Sequence, residues 1–296
     1  MITSAQRRRQ RRKLKETLRA IPGMPAVCST VMTRLNDPNA DFKQIAEELR
    51  YDPGLTANVL KLANSAAYGG GQEVDSLQAA FVRLGLKRLM QLVIAEGASD
   101  LLQRELGGYG LRPDEFLAHS VWTAVAAETF AEVLTLDSSD LLFTAGLLHD
   151  LGKLALDDHV AAAADELMGV LAAGDASSFD HAEDARLGMS HAEAGAWLMS
   201  AWNFPEELVE ATRFHHCPGA MTEASEQARL TADIVHLSDM LAYSTGLGTG
   251  VDGAHYALDD AAVEALGLKE DALEYVAAQT VETYEELKTS LLEAQT

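Results

Sequence analysis

Apolar residues recur at three- and four-residue intervals along nearly the whole chain, while runs that alternate apolar with polar are almost absent. Such spacing gives successive helices one buried face each and leaves no pattern from which to build a sheet. The sequence therefore predicts an all-α fold. Val27, Val31 and Leu35 mark one helical stripe that ends near Asn36-Asp37-Pro38. Asp41 and Gln44 have the spacing of a capping box, and Asp52-Pro53 that of an N-cap with the first helical residue. Leu55, Val59 and Leu62 form the next stripe, which stops at Asn64-Ser65. Gly69-Gly70-Gly71 follows in a loop too bare to serve as a phosphate loop. Ser76 is placed to cap a further helix, Gly85 interrupts it, and the helical pattern resumes over residues 86–96.

Gly107, Gly108 and Gly110, followed by Pro113, mark the expected hinge between two helical units. We read residues 1–19 as a basic arm, 20–110 as an N-terminal helical bundle, 111–245 as a His-rich helical unit packed on it, and 246–296 as an acidic C-terminal extension. Helices are expected over 114–134, 139–156, 159–172, 190–202, 206–216 and 223–243. Ser190 with Glu193 is a second capping-box match, which places His191 in the first turn of its helix. Residues 246–253 read as a flexible glycine-rich break. Residues 258–294 read as two acidic amphipathic helices that pack on the body or mediate self-association.

The chain has 296 residues, long enough for two domains, and its longest apolar stretch, 86–95, is broken by Lys87, Arg88 and Gln91. No membrane span is expected. The N-terminal charges have no apolar segment behind them, and the two cysteines, Cys28 and Cys217, cannot build a disulfide framework, so the expected location is the cytoplasm. The net charge is -22, yet eight bases (Arg7, Arg8, Arg9, Arg11, Arg12, Lys13, Lys15, Arg19) and only Glu16 fall in the first twenty residues. The rest carries 15 bases against 44 acids and repels nucleic-acid phosphates. The basic arm could meet an acidic partner, nucleic acid or an anionic membrane, or be a solvated helix start or tail.

Seven of the nine histidines lie between positions 119 and 216. His149-Asp150 is the focus, with His119 before it and His191, His215, His216 and Asp239 after it, each in an apolar segment. Imidazole nitrogen mixed with carboxylate oxygen suits iron, manganese or zinc, as one or two ions, and differs from the all-oxygen sites of calcium. Asp150 could bridge two ions. Lys153, four residues after His149, faces the same opening if the helix continues, where its ammonium could hold a phosphate oxygen. Each histidine alone also has an ordinary reading, as a core imidazole bonded to a carbonyl or as a surface residue. His159, His181, His236 and His255 fall outside the constellation, and Cys217 reads as an inert buried thiol rather than a soft ligand.

Residues 20–245 resemble the HDOD family, the helical signalling branch of the HD superfamily of metal-dependent phosphohydrolases. Three N-terminal stretches carry the likeness: Ile21-Pro22-Gly23-Met24-Pro25-Ala26-Val27, Tyr51-Asp52-Pro53-Gly54-Leu55-Thr56 and Leu62-Ala63-Asn64-Ser65-Ala66-Ala67-Tyr68. Ala145-Gly146-Leu147-Leu148-His149-Asp150-Leu151-Gly152-Lys153 is similar to the superfamily core, continued by His191-Ala192-Glu193-Ala194-Gly195-Ala196-Trp197-Leu198, Trp202-Asn203-Phe204-Pro205, His215-His216 and Asp239. The resemblance implies a bacterial signal-transduction module that acts through a protein partner or a small ligand, with a divalent metal at its centre. The alternative it implies is a metal-dependent phosphohydrolase acting on a nucleotide or phosphomonoester. The related HD-GYP phosphodiesterases, which hydrolyse cyclic di-GMP, carry a Gly-Tyr-Pro element after their His pair. Here Cys217-Pro218-Gly219-Ala220-Met221 stands in its place.

Overall fold

The computed structural model describes residues 4–24, 28, 31, 46, 49, 53–64, 74–136 and 139–294. The expectations for Val27, Leu35, the 36–38 turn, the Asp41/Gln44 pair, Asp52, Ser65 and the 69–71 glycines lie outside these. Among the described residues there are thirteen α-helices and no strand, only an isolated bridge between Leu106 and Leu111. They are α1 (Ser4–Ala20), α2 (Pro53–Ala63), α3 (Leu77–Leu102), α4 (Pro113–Val133), α5 (Ser139–Leu148), α6 (Lys153–Ala162) and α7 (Ala164–Ala172). After these come α8 (Phe179–Leu187), α9 (His191–Ala201), α10 (Glu206–Phe214), α11 (Glu226–Ser244), α12 (Asp260–Leu266) and α13 (Glu270–Ala294). None is long and apolar enough to cross a membrane.

Local chemistry sets many of the ends. The Ser76, Ser190 and Ser225 hydroxyls accept from the backbone N–H groups of Ala79, Glu193 and Ala228, capping α3, α9 and α11. Gly85 breaks α3 with a φ of 78°. Asn64 closes α2 by a two-way clamp: its amide donates to the Val74 carbonyl at 2.8 Å and its oxygen accepts from the Val74 N–H at 2.7 Å.

The central element is α4, buried almost all round, with Phe116, Trp122 and Phe130 fully inside. It packs against α5, α11 and α13. Near its C-terminal end the buried Glu128 accepts from Arg88 Nη1 at 2.8 Å and Gln91 Nε2 at 2.9 Å, tying α3 to α4. The C-terminal helices pack on the body: Ala262 and Val276 are buried against Ala127, Phe130, Leu142, Ile234 and Leu237. The arm is not a free tail either. Leu14 and Leu18, one helical turn apart, are buried where α1 meets α6 and α8, and Arg7 and Arg11 pair with Asp184 and Glu193. Arg8, Arg9, Arg12, Lys13 and Arg19 stay exposed.

Two expected helices are split. The 139–156 segment stops at Leu148, turns through 149–152 and restarts at Lys153, and the 159–172 segment is divided at Ala163. The first break has a packing cause. A Cβ on Gly152 would lie 1.8 Å from the His191 carbonyl oxygen and 2.5 Å from the Gly195 N, so the turn and the start of α9 touch backbone to backbone. Gly146 does the same for α5 on α4, where a Cβ would meet the Thr123 oxygen at 2.7 Å. Backbone on both sides cannot yield, so Gly152→Ala is expected to lower stability by about 3 kcal/mol. Urea unfolding followed by circular dichroism measures this, and a wild-type midpoint would show that the two segments have room to part.

Candidate metal centre

The break after α5 places His149 and Asp150 in a turn rather than on a helix face. Around them the fold gathers His119 from α4, His191 from the first position of α9, His215 and His216 just beyond α10, and Asp239 from α11. All seven side chains are at most 2% exposed. Three groupings of donor atoms fall within 4.8 Å of one another: Asp150 with His191, His215 and His216; His119 with His149 and Asp150; and His149 with His215 and Asp239. The seven positions expected from the sequence thus converge.

Hydrogen bonding on the outer side orients the rings. Nδ1 of His119 lies 3.1 Å from the Leu247 carbonyl, that of His149 2.7 Å from Gly146, and that of His215 2.7 Å from Thr212. His191 Nδ1 lies 2.7 Å from Glu183 Oε2, which also accepts from the His191 backbone N–H at 2.7 Å. A carbonyl only accepts, so each facing Nδ1 carries the proton and Nε2 points inward. The two Asp150 oxygens divide the cluster. Oδ1 lies 3.4 Å from His191 Nε2 and 3.7 Å from His215 Nε2, while Oδ2 lies 3.4 Å from His149 Nε2 and 3.7 Å from His119 Nε2. Asp239 faces both sides too, with Oδ1 3.0 Å from His119 Nε2 and Oδ2 3.7 Å from His216 Nδ1.

Seven buried polar atoms of this cluster, Nε2 of His119, His149 and His215, Nδ1 of His216, Oδ1 of Asp150 and both oxygens of Asp239, make no well-aligned hydrogen bond, while Asp150 Oδ2 is paired with the Lys153 ammonium. Buried polar atoms are nearly always satisfied, so imidazole nitrogens and carboxylate oxygens gathered in one space fit a bound cation. The charges agree. Four buried carboxylates, Asp150, Asp239, Glu183 and Asp252, line the interior here, and the Lys153 ammonium pairs with two of them, Asp150 and Asp252. Burial would lower the His149 pKa, but Asp150 and Asp239 outweigh it and push it up to about 10. Burial likewise opposes the charge on His191, and Glu183 outweighs it and raises that ring. Burial keeps His215 low and His216 well below the usual range, helped for His216 by the neighbouring imidazoles. Both Asp150 and Asp239 are held well below the carboxylate range, because Lys153 and His149 for the first, and His119 and His149 for the second, overcome desolvation.

Lys153 does not extend the His149 helix. It opens α6, and its buried Nζ sits 2.7 Å from Asp150 Oδ2 and 2.7 Å from Asp252 Oδ2, with the Tyr243 hydroxyl 3.5 Å away. Asp252 and Glu183 carry no sequence signal, since their partners are far along the chain or on another helix. His236, left outside the constellation by sequence, positions the site: its Nδ1 donates to the His215 carbonyl at 2.8 Å and its Nε2 accepts from the Asp259 N–H at 2.9 Å. Its three-residue spacing from Asp239 on α11 was the available clue. Tyr256 stacks on His216 at 3.8 Å and Tyr243 on His119 at 4.9 Å. His159, His181 and His255 lie outside the donor groupings, as does Cys217, whose thiol burial pushes up to about 11.

Residues 21–218 match the family model of the HDOD domain. This chain belongs to the HDOD domain family. An uncharacterised Treponema pallidum protein is 28% identical over 203 residues, which cover 66% of this HDOD chain and 37% of that protein. Among solved structures, an HDOD domain protein of unknown function from Geobacter sulfurreducens superimposes with a TM-score of 0.72 at 24% identity, over 92% of this chain and 93% of that one. A Shewanella amazonensis protein provisionally named a phosphohydrolase gives a TM-score of 0.69 at 25% identity, over 94% and 97%. A Marinobacter aquaeolei protein provisionally named a signal transduction protein gives 0.74 at 20% identity, over 98% and 66%. The all-α fold anticipated from periodicity is the fold these proteins share.

Removing the ammonium that pairs with both Asp150 and Asp252 is costly. Lys153→Met is expected to destabilise the protein by about 3 to 5 kcal/mol, and adding Asp252→Asn to recover part of that loss. Denaturant unfolding of the two single mutants and the double mutant measures the coupling, and strict additivity would show that the two side chains act independently.

Proposed function

We propose that this HDOD protein is a signal-transduction module that acts by binding a protein partner or a small ligand around a divalent metal held by His119, His149, Asp150, His191, His215, His216 and Asp239. The inward imidazole and carboxylate atoms left without an aligned hydrogen bond carry the metal reading. Their mix of imidazole and carboxylate suits iron, manganese or zinc, and Asp150, whose oxygens face two separate His groups, would serve as a ligand whether one ion or two were held. Bound there, such an ion would supply Lewis acidity toward a phosphoryl oxygen.

The chain's own residues do the rest. Glu183 and the Gly146, Thr212 and Leu247 carbonyls fix the tautomers, while Tyr243 and Tyr256 cover two of the rings and keep water out. One observation favours binding over turnover: Cys217-Pro218-Gly219 occupies the stretch where the hydrolytic relatives resembled by sequence carry Gly-Tyr-Pro. The second reading is a phosphohydrolase acting on a nucleotide or phosphomonoester with Lys153 at the phosphate. The complete donor set and the name of the Shewanella amazonensis neighbour support it.

Elemental analysis of protein purified without chelator is expected to find one or two iron, manganese or zinc ions per chain. His149→Ala and Asp150→Ala should lose them, and Glu183→Gln should weaken retention by about ten- to a hundredfold, because the carboxylate holds the His191 ring. Protein that is metal-free and cannot be loaded would end the metal reading. Turnover of phosphomonoesters or nucleotides by the loaded protein would replace the binding module with the hydrolase.

A further inference from the structure

The chain leaving α11 crosses directly over the metal centre. Gly246, Gly248 and Gly250 have φ values of 78°, 59° and 52°. A Cβ on Gly248 would lie 2.6 Å from the His119 Cβ, and one on Gly250 2.6 Å from the Tyr109 oxygen, so only glycine lets the backbone pass this close. Three hydrogen bonds hold the crossing: His119 Nδ1 with the Leu247 carbonyl at 3.1 Å, Val251 N–H to the Tyr109 oxygen at 2.8 Å and Gly253 N–H to the Thr249 oxygen at 2.8 Å. At its middle Val251 points outward, 44% exposed, and Asp252 points inward, fully buried. Asp252 Oδ2 meets Lys153 Nζ at 2.7 Å and the Tyr256 hydroxyl at 3.4 Å, while Oδ1 has no hydrogen-bond partner among the described residues.

We propose that residues 246–256 are a closing strap whose Asp252 carboxylate stands, as an internal anion, where an oxygen of a phosphate-bearing small ligand binds beside Lys153. Ligand entry and strap release are then one event. The inference deepens the proposed function, since it rests on the His/Asp centre being a ligand site. A carboxylate and a phosphate offer an ammonium the same charge-assisted hydrogen bond, so one replaces the other without leaving Lys153 unpaired. Asp252 is the displaceable member of the buried set, because it is carried on a glycine-rich segment between helices, whereas Glu183 and Asp239 sit within α8 and α11 and Asp150 in the turn packed on α9. Beside the start of the strap is a cavity of about 350 Å³ lined by Glu115, Ala118, Leu247 and Tyr284.

Hydrogen exchange on the full chain, with and without saturating inorganic phosphate, tests the exchange of anions directly. Phosphate should speed exchange at the 247–253 amides by about tenfold and leave α4 and α9 unchanged, since displacing an intramolecular ligand forfeits its high effective concentration. Asp252→Asn should bind inorganic phosphate about tenfold more tightly by calorimetry, because the internal competitor has lost its charge. Unaltered strap exchange in the wild type overturns the proposal whether or not the variant folds. So does a folded variant that binds phosphate no better than the wild type. Metal content measured on the same samples separates the two readings: a loaded protein with an unresponsive strap defeats the strap alone, and a responsive strap on protein that takes no metal defeats the metal alone.

Discussion

Four imidazoles in the middle of this protein give their Nδ1 protons to oxygens behind them and turn Nε2 toward one another. Rings set this way pair only in part with one another and with the two carboxylates among them, so the interior favours added positive charge. The surrounding fold adds some from outside the cluster with Lys153. It also supplies Glu183 and three backbone carbonyls as fixed acceptors, and it excludes solvent with aromatic rings. Most of the tight packing follows from holding these groups still. Gly152 and Gly195 bring the His149-Asp150 turn against the start of α9, and Gly146 seats α5 on α4. The capped start of α9 brings His191 into reach of Asp150.

Membership of the HDOD family accounts for the helical architecture, and six of the seven donors fall within the residues that match the family model, with Asp239 beyond them. Outside the matched residues lie α1, α11 and the C-terminal extension. That extension packs α12 and α13 on the core and sends Asp252 back into the interior, where it shares Lys153 with Asp150. The centre is therefore built from residues as far apart as His119 and Asp252, and the C-terminal part helps to define its charge.

Periodicity was enough to read the helices, because each one buries a stripe whose spacing is written locally. The seven donors were legible because His149-Asp150 is an unusual pair and because the surrounding stretches resemble a known core. The breaks at 149–152 and at Ala163 were not, since the first arises from a backbone contact with α9 that no local pattern records. Glu183 and Asp252 were invisible for the same reason: an acid among many acids, in a chain of net charge -22, shows its partner only when the chain is folded. The glycine-rich 246–253 segment read as a flexible break because composition reports what glycine permits. It does not report that the freedom is used to pass within contact of His119 and Tyr109. The basic arm was misleading in a similar way, as its charges hid the Leu14 and Leu18 stripe by which it docks.

One helix carries connections of three kinds. On α4, His119 enters the centre, Glu128 grips Arg88 and Gln91 of α3, and Phe130 lies in the cluster that buries Val276 of α13. His119 and Glu128 are nine residues apart, about 14 Å along a rod that does not stretch. A displacement of α4 as a rigid body would therefore be felt at the imidazole, at α3 and at α13 together.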